Sequence, residues 1–193
     1  AVAAGSLTMV GPLTTGPSSC TLGLPCAVAV GGTGLDQGVF SVNTGSCAGS
    51  PAELRPGGPR LDAGVLRWDA VTQGAGVSYQ ICWAVGQPVT VTALTIAGPR
   101  QGQQVTCTLG VRCTVNLAGL PAEGAVSASS GDCQTQASLG PGWLPAASSS
   151  TLQFTPGVPT ILPSLEPDTL CWSAPGAAGV AVASLTVRGA RLG

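Results

Sequence analysis

The chain contains no histidine and no lysine, and only one methionine, one tyrosine and two phenylalanines among its 193 residues. Without histidine, the usual general base of neutral pH is missing, and a Ser or Cys nucleophile lacks its ordinary partner. The seven basic residues, all Arg, are scattered along a chain of net charge −1. They assemble no basic face that would displace counterions, which excludes nucleic acid and anionic membrane surfaces as partners. No apolar run reaches the roughly 18 residues of a membrane span, so no membrane insertion is expected. The eight carboxylates are equally dispersed. Only Asp62 with Asp69 and Glu166 with Asp168 lie near one another, and they are expected to be solvated loop charges rather than a glycosidase-type pair.

Metal and cofactor signatures are absent as well. The cysteine spacings are 6, 21 and 35 in the first half and 6, 20 and 38 in the second, without the CxxC knuckles of structural zinc sites. There are no DxDxDG-type calcium loops and no glycine-rich phosphate loop opening a helix. The two asparagines, Asn43 and Asn116, are followed by Thr-Gly and Leu-Ala, so neither makes an Asn-x-Ser/Thr acceptor. The expectation is a chain that is not an enzyme and binds no cofactor.

What the chain does have is a repeat. The segment Ala1–Pro12 (AVAAGSLTMVGP) recurs at Pro88–Pro99 (PVTVTALTIAGP) and at Gly179–Ala190 (GVAVASLTVRGA). CTLGLPC at Cys20–Cys26 is matched by CTLGVRC at Cys107–Cys113, VLRW at Val65–Trp68 by TLQF at Thr151–Phe154, and SYQICWA at Ser78–Ala84 by DTLCWSA at Asp168–Ala174. Two modules of about 90 residues follow, 1–97 and 98–193, with 1–12 as a boundary strand. Each is near the small end of what buries its own core. Glycine (29) and proline (16) punctuate the chain too often for ordinary helices. Many short apolar segments between turn signals predict an all-β architecture, two tandem immunoglobulin-like sandwiches. Residues 13–19 read as a turn-rich link, and Pro51–Pro59 and Pro141–Ser150 as surface loops.

Eight cysteines in small, core-poor modules predict disulfides and hence an oxidising, secreted or cell-surface setting. Four per module allow three connectivities. Cys20–Cys26 and Cys107–Cys113 are expected as local staples, with Cys47–Cys82 and Cys133–Cys171 as long-range bridges; a Cys26–Cys82 link, closer to antibody domains, is the alternative. Trp83 and Trp172, each following a cysteine, are expected to plug the core against the disulfide. Trp68 and Phe154, at equivalent strand positions, also read as core. Trp143, without a counterpart in the first module, is a candidate sugar platform or subunit contact.

The combination CTLGxxC, a later cysteine, xICW or xLCW, then LTxxGP resembles a tandem-repeat module of large extracellular proteins of unicellular algae and related protists, similar to mastigoneme proteins. That resemblance spans both repeats. It implies a structural bead of a surface coat or filament, with neighbouring repeats or further copies of the same chain as partners. It also implies sugar, for which the Ser/Thr/Pro clusters Pro12–Ser19 and Pro145–Pro163 fit O-linked glycans. The runner-up functions are an adhesion or carbohydrate-binding module and, last, an extracellular hydrolase. The chain starts on small residues without Met, as after signal-peptide removal or excision from a longer array. Two modules need two boundary strands and the chain carries three, so Ala1–Val10 is expected at a head-to-tail junction with Leu7, Met9 and Val10 as anchors; the alternative is that Ala1–Val10 is the first strand of its own domain in a monomeric chain.

Overall fold

The computed structural model describes residues 9–54, 58–109, 111, 113–121, 123–129, 131–133, 151–153 and 168–189. Short strands bounded by glycine turns build the first module: β1 (Gly11–Pro12), β2 (Ser18–Thr21), β3 (Cys26–Ala29), β4 (Gly32–Thr33), a 3-10 turn at Leu35–Gln37, β5 (Val39–Thr44), β6 (Arg60–Asp62), β7 (Val65–Trp68), β8 (Ser78–Val85) and β9 (Gln87–Ala97). The second contains β10 (Gln103–Thr108), β11 (Thr114–Asn116), β12 (Ala125–Ser129), β13 (Thr151–Gln153), β14 (Asp168–Ser173) and β15 (Val180–Arg188).

The sheet of the first module runs β2-β9-β8-β5 and is covered by β3-β7-β6; the second module repeats this as β10-β15-β14-β12 and β11-β13. In both, an early strand pairs parallel to the last one, Ser18–Thr21 with Leu94–Ala97 and Gln103–Thr108 with Ala183–Arg188. The remaining pairs are antiparallel. Strands β3, β7 and β6 occupy places B, E and D of an immunoglobulin sandwich, and β5, β8 and β9 places C, F and G. The chain is two tandem immunoglobulin-like β-sandwiches.

Period-two alternation explains which residues fill the core. Cys26 and Val28 point inward from β3, Leu66 and Trp68 from β7, and Tyr79, Ile81 and Trp83 from β8. Val126 and Ala128 do so from β12, and Leu170 and Trp172 from β14. A bulge falls at the same place in both modules: Ile81 and Cys82 face Thr92 and Thr90, and Leu170 and Cys171 face Ala183 and Ala181. The bridges are Cys20–Cys26, Cys47–Cys82, Cys107–Cys113 and Cys133–Cys171, and no described cysteine is free.

Several local expectations need correction. The segment read as a link contributes β2, which adds to the sheet through its backbone while only Cys20 is buried. Gly11–Pro12, read as the end of a strand, is itself the two-residue strand β1, paired with Gly32–Thr33; a proline is tolerated there because the strand is an edge. Met9 and Val10 are exposed and lie outside any strand. The loop Pro51–Pro59 is not all surface, since Leu54 is buried and its carbonyl accepts from the Thr72 N–H at 3.1 Å. Trp83 is a core residue but does not pack against the Cys47–Cys82 bridge. Successive side chains on β8 point to opposite faces, so Cys82, between Ile81 and Trp83, carries its bridge on the outer face, where Cys47 Sγ lies 3.2 Å from Thr90 Oγ1.

Candidate functional site

Strand β9 ends at Ala97, and Gly98, Pro99, Arg100 and Gln101 lead directly into β10. This short connection leaves no slack, and the far end of the first module meets the near end of the second. The Arg100 N–H donates to the Ala118 carbonyl at 2.7 Å. A Cβ on Gly119 would lie 3.1 Å from the Gly98 carbonyl oxygen, so the two backbones approach closely.

Gln101 ties the junction together. Its Oε1 accepts from the Gly74 N–H at 2.9 Å, while its Nε2 donates to the Thr72 carbonyl at 2.9 Å and to the Ala181 carbonyl at 3.1 Å. Two of these partners belong to the β7–β8 loop of the first module and one to β15 of the second. An amide suits this task because it carries both an acceptor and two donors on one rigid plane.

The apolar part of the seam comes from the CTLG loop. Gly23 has φ +81, and a Cβ there would lie 3.5 Å from Val180 Cγ2 and 3.6 Å from Ala177 Cβ. The loop is held in place by Gly23 N–H to the Val71 carbonyl, 2.7 Å, and Val71 N–H to the Leu24 carbonyl, 3.0 Å. Beside the seam lies an open cleft of about 790 Å3, whose lining includes Thr72, Gln101, Asp132 and Thr169. Among the described residues Asp132 is its one ionisable side chain, and none of those lining it is aromatic.

The start of the first module is built like the start of the second. The Leu13 N–H donates to the Gly31 carbonyl at 2.8 Å, the repeat equivalent of the Arg100 to Ala118 bond. A Cβ on Gly32 would collide with the Gly11 carbonyl oxygen, as Gly119 crowds Gly98. Thr33 Oγ1 donates to the Met9 carbonyl at 2.8 Å. The chain therefore enters both modules along the same path. What differs is the cover: Val89, which faces Trp83 across the hairpin, is 47% exposed, while Val180, which faces Trp172, is 9% exposed. Val85, two residues after Trp83, is 58% exposed, whereas Ala174, two after Trp172, is 4% exposed.

Of the residues singled out from sequence, the eight cysteines form the four bridges above. Met9 is 81% exposed, Val10 is exposed beside Gly34, and Leu7 and Trp143 lie outside the described residues. By repeat position Leu7 corresponds to Leu94 and Leu185, which are fully buried, and Met9 to Ile96, fully buried, and Val187, partly buried. Gln101, Gly23 and Val180 carry the seam and were missed. A polar residue after Gly-Pro reads as linker, and Gly23 was visible only as part of the CTLG pattern. Two ionisable groups are perturbed: burial raises the Tyr79 phenol and the Asp168 carboxyl above their ordinary values. They occupy the same repeat position, three before the bridge cysteine of β8 and β14.

No family model matches the chain, and no curated protein matches it. Among solved structures it is similar to a pair of titin domains in complex with telethonin, at 16% identity and TM-score 0.31, covering 96% of this chain and 100% of that one. It is also similar to the tandem Ig repeats of Dlar, at 12% identity and TM-score 0.29, covering 94% and 100%. A third is Sidekick-1 immunoglobulin domains 1–5, at 16% identity and TM-score 0.33, covering 94% of this chain and 39% of that one. The fold assignment stands on the sheet order and parallel first-to-last pairing described above. No helix among the described residues is long and apolar enough to cross a membrane.

Proposed function

We propose that this chain is a structural, non-enzymatic bead of an extracellular filament or cell-surface coat, similar to the mastigoneme-type repeats of algae and related protists. Its modules are taken as 1–97 and 98–193, and its partners are further copies of itself or neighbouring repeats. The observation that carries this reading is the role of the repeated boundary segment. Its second and third copies, β9 and β15, are each the last strand of a module, and their inward residues Leu94, Ile96 and Leu185 are fully buried. The first copy stands before the first module, where Met9 is open to solvent. An extended segment whose homologues are core strands is suited to joining a preceding unit by main-chain pairing and side-chain insertion. Leu7, Met9 and Val10 are its anchors. A contact of this kind is heterologous and, if its rotation does not close, makes an open filament.

Four bridges in modules this small suit an oxidising, extracellular setting, and O-linked sugar on the Ser/Thr/Pro segments fits the same place. The experiment is deletion of residues 1–10 followed by electron microscopy and sedimentation. Folded, monodisperse subunits that no longer polymerise are expected. Unchanged filaments, or a full-length chain that remains monomeric at high concentration, would overturn the reading.

A further inference from the structure

We infer that the seam between the two modules is the template for the contact between copies: the CTLG-loop end of the second module, Leu109 and Val111, docks on the exposed start of another copy's first module, at Val10, Val85 and Val89. This rests on the head-to-tail reading above and names the surfaces it uses.

Three observations converge on it. First, the apolar part of the seam recurs at the outer ends of the two modules, while Thr14 stands in the place of Gln101. On the receiving side, Val89 holds the hairpin position that Val180 holds in the second module, where Gly23 of the first module lies against it, and Val85 is exposed at the position where the second module buries Ala174. On the donating side, the Leu109 N–H bonds the Arg188 carbonyl at 2.7 Å, as the Leu22 N–H bonds that of Ala97 at 2.9 Å. A Cβ on Gly189 would lie 2.7 Å from Leu109 Cβ, as one on Gly98 would lie 2.8 Å from Leu22 Cβ. The CTLG loop is thus presented from the last strand in the same way at both places.

Second, the exposure is on the matching residues. Val111, in the repeat position of Leu24, is 54% exposed, whereas Leu24 is partly buried against the core. Large apolar side chains left open on the loop that flanks the Gly23 position and on the counterpart of Val180 are what a repeating contact requires. Third, the approach is preset. The Leu13 to Gly31 bond and the Gly11–Gly32 crowding hold the entering backbone as the Arg100 to Ala118 bond and the Gly98–Gly119 approach do inside the chain. A unit arriving from that direction is guided onto Val85 and Val89.

The receiving hairpin differs from its counterpart in one respect that bears on the partner. The turn between Trp83 and Val89 is two residues shorter than that between Trp172 and Val180, and it carries Val85 where the longer one carries Ala174 and packs Ala177 on Gly23. The receiving face is therefore apolar and built on two exposed valines, Val85 and Val89.

The test uses the full chain with Val89→Lys, Val111→Glu and the double variant, all at exposed positions, with thermal unfolding as a check that each folds. Sedimentation over a concentration series reads association. Each single variant is expected to weaken self-association about tenfold or more, and the double variant, which restores a Lys–Glu pair across the contact, to recover a substantial part of it. If the wild-type chain assembles and the single variants assemble equally well, or if the double variant is no tighter than the singles, these surfaces are wrong while the filament reading stands. A wild-type chain that never associates refutes the filament reading itself.

Discussion

The indole N–H of Trp83 donates to the carbonyl of Leu35 at 3.1 Å, whereas Trp172, its counterpart in the second module, is buried with no hydrogen-bond partner for its own indole nitrogen. The difference lies in the loop before the third strand. In the first module the 3-10 turn at Leu35–Gln37 turns a carbonyl toward the ring, and the equivalent loop of the second module, Ala118–Gly124, is one residue shorter than Gly31–Gly38.

A matched pair of substitutions separates the hydrogen bond from ring packing. Trp83→Phe and Trp172→Phe remove the same volume and each should cost roughly 1–3 kcal/mol from the cavity left behind. Trp83→Phe also loses a bond and leaves the Leu35 carbonyl without its donor, so its cost should be larger by about 1 kcal/mol. Chemical denaturation of the two variants checks this. Equal costs would show that the bond contributes nothing.

Glycine before the third strand is required by the same ring. A Cβ on Gly38 would overlap the Trp83 indole and lie 2.8 Å from the Ala84 carbonyl oxygen. On Gly124 it would lie 2.6 Å from Trp172 Nε1 and 2.9 Å from the Ser173 carbonyl oxygen. The clash involves a buried ring and backbone, neither of which yields cheaply. Gly38→Ala is expected to destabilise the first module by about 1–3 kcal/mol, with the Trp83 fluorescence maximum shifted toward that of exposed tryptophan. An unchanged melting temperature would sink the prediction.

The two classes of bridge should differ in worth. In the chain-entropy model a bridge closing 35 residues, Cys47–Cys82, stabilises by about 3.8 kcal/mol, and one closing 6, Cys20–Cys26, by about 2.2 kcal/mol. Replacing Cys47 and Cys82 together by Ala should therefore lower the denaturation midpoint of the first module more than replacing Cys20 and Cys26. The burial of Cys20 and Cys26 in the core cluster narrows the gap, because their removal also costs packing. Equilibrium denaturation of both double variants decides the order.

Stability should be flat between about pH 5 and 9, because the chain has no histidine and its described cysteines are all bridged. Outside that range a buried phenol and a half-buried carboxyl act. Burial raises Tyr79 above 10.0 and Asp168 above 3.8, so the folded state holds each proton more tightly than the unfolded chain does. Stability then falls as pH rises through each window. The Tyr79 contribution is intact below pH 10 and lost above it; the Asp168 contribution is intact in acid below pH 3.8 and lost as pH rises beyond it. Thermal melts should show a decline above pH 10 that Tyr79→Phe removes. A sharp change between pH 6 and 8 would reveal an unrecognised buried ionisable group.

Segments whose side chains alternate between core and solvent were legible from sequence. VLRW became β7 with Leu66 and Trp68 inside, and SYQICWA became β8 with Tyr79, Ile81 and Trp83 inside. The strands that were not legible hold their place by backbone pairing rather than by pattern. SSCT of β2 turns in only Cys20, and QQVTCT of β10 is polar at most positions. Leu54 was hidden by its Pro/Gly-rich neighbours. The seam was invisible for a different reason: Gln101, Gly23 and Val180 come from three distant stretches, and their meeting is a product of the sandwich order.

Gln101 is expected to set the angle between the modules rather than the stability of either. Two of its three hydrogen bonds, to Gly74 and Thr72, anchor it on the first module, and the third, to the Ala181 carbonyl, reaches the second. The site is at the surface beside an open cleft, so groups released by Gln101→Ala are taken up by water and the net loss per bond is only about 1 kcal/mol. The unfolding midpoints of the two modules should move little. Their mutual orientation should not survive as well, since the approach of Gly23 to Val180 and Ala177 and of Gly76 to Arg100 would then have to hold it. Gln101→Glu keeps an acceptor for the Gly74 N–H but turns a carboxylate oxygen toward two carbonyls, so it should loosen the junction at least as much as the alanine. Small-angle scattering of the full chain reads this directly, as a broadened distance distribution and a larger maximum dimension in both variants. A profile identical to the wild type would show that the seam holds without the amide.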